Sequence, residues 1–103
     1  MPRRGVQGLG DQLVTPEIKQ VLDRALERIN VLCQSSEYGL AEQFSLEVLA
    51  IDPENENAWF FLGMSYFGQG QADKAAEVFQ MAADLTTDNK NKECALKMKE
   101  RCG

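Results

Sequence analysis

The feature that most constrains this chain is the stretch Trp59-Phe60-Phe61-Leu62-Gly63-Met64-Ser65-Tyr66 together with the segment that follows it. From Trp59, apolar and small residues fall at Leu62, Gly63 and Tyr66, then at Ala75, Phe79 and Ala82, which places one stripe on each of two successive helices. Gly68-Gln69-Gly70-Gln71 supplies the turn between them. Two helices pack closely only where small side chains sit at the nearest approach of their backbones. Gly63 and Ala75 therefore read as the close pair, with the larger residues filling the gaps on either side. Trp59 and Tyr66 are packing residues first, as members of such a stripe.

The pattern W-x2-L-G-x2-Y followed by A-x3-F resembles the tetratricopeptide repeat, a helix–turn–helix unit of about 34 residues. Residues 56–89 match it at Trp59, Leu62, Gly63, Tyr66, Ala75, Phe79 and Ala82, and depart from it at Thr87, where the family closes with proline. Shifting the chain by one repeat places Ala41 on Ala75, Val48 on Ala82 and Ile51 on Leu85, so residues 22–55 read as a degenerate first repeat. That repeat has Ala25, Arg28 and Ile29 in place of Trp59, Leu62 and Gly63. It also has Ser45 in place of Phe79, with Phe44 expected to fill the space. The resemblance implies an all-α fold of antiparallel helix hairpins in a short right-handed α-solenoid.

Five helices are expected, near residues 16–34, 38–51, 55–68, 71–86 and 89–101. Thr15-Pro16-Glu17 supplies a cap, a first-turn proline and an acid at the positive end of the dipole. Residues 1–14, with three glycines and little periodicity, read as a flexible leader to a single domain over 15–103. Residues 89–102, with Cys94, Ala95, Met98 and Cys102 on one narrow stripe, resemble the helix that caps such arrays.

Charge narrows the partner. Between residues 5 and 88 the only basic side chains are Lys19, Arg24, Arg28 and Lys74, while Lys90, Lys92, Lys97, Lys99 and Arg101 crowd the last helix. An acidic body disfavours nucleic acid, whose phosphates require a basic face, and the lysines read as a solvated helix surface. No run approaches the roughly 18 apolar residues of a membrane span, and Met1-Pro2-Arg3-Arg4-Gly5 does not open a secretory signal, so a cytoplasmic location is expected. Cys33, Cys94 and Cys102 lack metal-ligand spacing and read as reduced thiols. The chain has no histidine, which removes the usual zinc and triad chemistry. Pairs such as Glu54 with Glu56, or Asp84 with Asp88, come without a phosphate loop or an activated nucleophile. No catalytic residue, metal or cofactor is expected.

In the family the first helix of each repeat lines a concave face. By position, the resemblance places Phe60, Met64 and Phe67, with Phe61 at the edge, opposite Leu26, Asn30 and Cys33 of the first repeat. Three large apolar side chains on a face with no packing duty ask for a cover. The expected partner is an apolar or amphipathic segment of another protein, or else a second copy of the chain in a self-associating assembly. A family subclass grips a C-terminal carboxylate with Lys and Asn. Here Asn30 stands at one such place, but Leu26 and Phe61 occupy others, so that clamp is largely missing.

Overall fold

The computed structural model describes residues 15–103, and the expected leader lies outside them. Five α-helices follow one another: α1 (Pro16–Gln34), α2 (Tyr38–Ile51), α3 (Glu56–Gly68), α4 (Ala72–Leu85) and α5 (Asn89–Cys102). Among the described residues there is no strand. Each helix packs on the next, and α1 also reaches α3, so the molecule is a short all-helical solenoid in which contacts are made chiefly between neighbours. The bounds fall within a residue of those expected.

Two kinds of start signal alternate along the chain. The helices that open each unit are capped by side chains. Thr15 Oγ1 accepts from Ile18 N at 3.2 Å, Asn55 Oδ1 from Ala58 N at 3.0 Å, and Asp88 Oδ1 from Lys90 N at 2.9 Å. The helices that close each unit, α2 and α4, have no side-chain cap, because each follows a tight turn whose backbone supplies the entry. Ser36 stands in the left-handed region at φ 63°, and Gly70, one repeat later, at φ 80°. Ser36 N donates to Cys33 O and Glu37 N to Leu32 O, and Gly70 N donates to Phe67 O and Gln71 N to Tyr66 O. The same turn is thus made twice, once with a serine where glycine is the natural occupant.

Size complementarity joins each hairpin, and the two hairpins achieve it in opposite ways. A Cβ on Gly63 would lie 2.7 Å from the Phe79 ring, which is fully buried. Gly63 therefore makes room for Phe79, and Ala75, its expected close partner, is also fully buried. At the equivalent places of the first hairpin stand Ile29 and Ser45, both with no exposed surface. There the large side chain is on the first helix and the small one on the second. Phe44, expected to fill the place of Phe79, is only half-buried and packs at the margin of the core.

Helix α3 is apolar all round because it lies against α1, α2 and α4. Its fully buried residues are Ala58, Leu62, Gly63 and Ser65. Ser65 Oγ satisfies itself on Phe61 O at 2.8 Å. Trp59 and Tyr66, expected in the core, are half-buried. The indole N–H donates to Pro53 O at 2.8 Å, and the Lys74 ammonium stands 5.6 Å from the centre of the Tyr66 ring. Burial of their rims is enough to hold the helices while their polar tips keep solvent or a partner.

Gly63→Ala should lower stability by about 1–3 kcal/mol, since a fully buried ring must move, whereas Gly39→Ala, facing open space inside α2, should raise it by about 0.5–1 kcal/mol. Ser36→Gly should be stabilising by up to about 1 kcal/mol through relief of its left-handed backbone. Chemical-denaturation midpoints at constant slope read all three.

Candidate peptide-binding groove

The two helices that open successive units, α3 and α5, lie side by side over α4 and enclose a groove of about 250 Å³. Phe60, Phe61, Ala82 and Ala95 supply its apolar walls, and Glu56, Asn57, Thr86, Asn91 and Cys94 supply its polar ones. Phe60 is held from behind by an edge-on contact with Phe79, ring centres 5.5 Å apart, and meets Phe61 edge-on at 6.2 Å. It also packs on the small cluster Ala82, Ala83 and Ala95, through which α5 docks. Three alanines permit that docking because none holds the helices apart.

One end of the groove is fixed by a carboxylate. Glu56, in the first turn of α3, accepts from Thr86 Oγ1 at 2.7 Å and from Asn91 Nδ2 at 3.4 Å, and Thr86 Oγ1 in turn accepts from Asp88 N at 3.2 Å. A single side chain therefore ties the start of α3 to the linker before α5 and to α5 itself. Asn57 is exposed, so its amide has donors and an acceptor to offer a peptide backbone. Apolar walls with a few amide and thiol groups at the edge suit an apolar side chain carried on a short segment.

The expected groove residues are dispersed by the structure. Phe60 and Phe61 line the groove together. Met64 is half-buried and packs against the core formed by α1, α2 and α3, and Phe67 is half-buried at the far end of α3. Asn30 is exposed on α1. Leu26 belongs to the core at 7 % exposure, which removes it from a groove wall, because the approach of α3 to α1 closes over it. Phe60 also has a packing duty, on Phe79, that its place in the sequence did not disclose. Glu56, Asn57, Thr86, Asn91 and Cys94 were not anticipated. A second application of the repeat shift would have found the pair from α5, since it carries Asn57 onto Asn91 and Phe60 onto Cys94.

The three cysteines are free and differ in setting. Burial pushes the Cys33 thiol up, offset in part by its hydrogen bond with Ser65, and burial likewise raises Cys102. Tyr66 is raised by burial and then by the nearby Glu42 charge. Among the described residues no group of three or more His, Cys, Asp or Glu is placed to hold a metal, and no helix is long and apolar enough to cross a membrane.

Alkylation by iodoacetamide, followed by mass spectrometry, should modify exposed Cys94 first, Cys102 next and buried Cys33 only as the fold opens. The raised Cys33 value also fixes a sign. Above the ordinary thiol range the unfolded chain releases this proton while the native chain retains it, so stability falls with rising alkaline pH, and Cys33→Ala should weaken that dependence.

Residues 56–89 match the family model described as Tetratricopeptide repeat. No curated protein and no solved structure matches the chain.

Proposed function

We propose that the chain, whose residues 56–89 match the family model described as Tetratricopeptide repeat, a protein-interaction unit, is an adaptor that holds an apolar or amphipathic segment of another protein in the groove between α3 and α5. The observation that supports this reading is the pairing of Phe60 and Phe61 on one wall. Phe60 is braced by Phe79 and so is a rigid anchor, and a rigid aromatic wall loses little freedom when a partner arrives. Asn57 and Asn91, one repeat apart, both line the groove and offer side-chain amides to a peptide backbone. Catalysis has no place in this reading, and the cytoplasm is its natural setting.

Recognition is by shape and apolar contact rather than by a carboxylate clamp. The charged residue in the groove wall is Glu56, which repels a terminal carboxylate. Self-association through the same groove is the second reading. The basic last turn of α5, with Lys99 and Arg101, offers one copy's attraction to another's acidic body.

A displayed random-peptide library selected on the chain should return sequences with an aromatic or branched aliphatic anchor. Amide-shift mapping with a selected peptide should move Asn57, Phe60, Phe61, Asn91 and Cys94. Asn57→Glu with Cys94→Glu, both at exposed positions, should weaken binding at least about tenfold, the scale of one interface hot spot, with helicity unchanged. Bound peptide should slow alkylation of Cys94. Shifts confined to α1 and α2, or Cys94 labelled at an unchanged rate, would overturn the groove reading. Sedimentation at rising concentration separates the second reading from the first.

A further inference from the structure

A second cleft, of about 370 Å³, lies along α1 and α2 and takes its walls from those two helices alone, among them Val21, Ala25 and Arg28 on one side and Phe44, Val48 and Ile51 on the other. Its apolar edges are open, with Val21 63 % and Ile51 44 % exposed. None of these residues lines the groove between α3 and α5, so the two sites stand apart. The second repeat shows what kind of cover the cleft lacks. Ala25 and Arg28 stand where α3 has Trp59 and Leu62, and those two join the core that α3 shares with the helices before it, α1 and α2. Among the described residues α1 has no helix before it, so the matching face of α1 is open, with a methyl group where α3 carries an indole.

We propose that this cleft docks an amphipathic helix of another protein, one whose apolar stripe is flanked along one edge by carboxylates a turn apart. The occupant is a helix because the matching face of α3 is packed by helices, with the Trp59 indole N–H donating to Pro53 O just past the end of α2. Charge fixes the chemistry of its edge. Arg24 and Arg28, both exposed, line the α1 wall four residues apart, about 6 Å along the axis, and are two of the four basic side chains between residues 5 and 88. Asp or Glu at i and i+4 of a partner helix has the same spacing and accepts charge-assisted hydrogen bonds from both guanidinium groups. Glu47 lines the α2 wall, so the partner's other edge is neutral or basic, and a helix acidic on both edges is disfavoured. Between the edges, a leucine or phenylalanine of the partner fills the volume over Ala25 that the indole takes one repeat later. This site does not depend on the α3–α5 groove; with both filled, the chain joins two partners.

The probe is a synthetic amphipathic helix of about five turns, with a leucine stripe and a pair of glutamates at i and i+4 along one edge, titrated into the full chain beside a control peptide carrying glutamine at both glutamate places. The glutamate peptide should bind several-fold more tightly than the control at low salt, the scale of two exposed ion pairs, and the difference should shrink as salt is raised. In the variant Arg24→Gln with Arg28→Gln, both at exposed positions, helicity should be unchanged and the two peptides should bind alike. Amide shifts should move residues 21–28 and 44–51 and leave Asn57, Asn91 and Cys94 in place, which separates this site from the α3–α5 groove. Equal binding of the two peptides to the unmodified chain, no binding of either, or shifts gathered on α3 and α5 would overturn the proposal. So would shifts at residues 21–28 and 44–51 that depend on protein concentration without peptide, which would assign the cleft to a second copy.

Discussion

The close contact between a helix backbone and a phenyl ring, Gly63 against Phe79, is the constraint on which the second hairpin depends. Removing a side chain from α3 lets a large one from α4 reach the core with no exposed surface, and Phe79 then braces Phe60 edge-on. The aromatic wall of the groove is thus braced through a contact that a glycine on the same helix permits, so the packing of the hairpin also positions the proposed recognition surface. The first hairpin meets the same requirement with Ile29 and Ser45, so the repeat preserves the summed volume of a contact rather than the identity of its residues. Its solution is less complete: Ser45 Oγ is buried with no hydrogen-bond partner in the described structure, which leaves a desolvated hydroxyl in the core.

Much of this could be read from the residues alone. The 3.6-residue stripes, the Thr15 cap and the turn at Gly68-Gln69-Gly70-Gln71 placed all five helices, because each is a local signal, whereas the Asn55 cap of α3 emerged only in the structure. What the residues did not disclose is which side of an all-apolar helix meets which neighbour. In α3 every face carries a large side chain, so periodicity alone does not separate Leu62, which is buried, from Trp59, which is not. Leu26 shows the same limit. Its position by repeat equivalence matched a groove wall, yet α3 closes over it, since contacts between successive first helices are set by the solenoid as a whole.

The groove residues on α5 escaped notice for a different reason. A lysine-rich helix with one narrow apolar stripe reads as a lid, and its polar side chains as solvated surface. In the structure the stripe has a single fully buried member, Ala95, while Asn91 and Cys94 turn to the groove. The cap is thus also the third in the series of opening helices, which follows from position rather than composition.

The way α5 is held has a kinetic consequence. Contacts along the chain join neighbours, so the molecule is close to one-dimensional, and opening begins where the fewest apolar groups resist it. Helix α5 docks through Ala95 on Ala82 and Ala83, through Asn91 on Glu56, and through the Lys99 ammonium on Gln80 at 2.7 Å, with no other helix beyond it among the described residues. Detachment of α5 would remove one wall of the groove. The lifetime of the proposed binding surface is then set by how long α5 stays docked, and an occupant that spans α3 and α5 would prolong it.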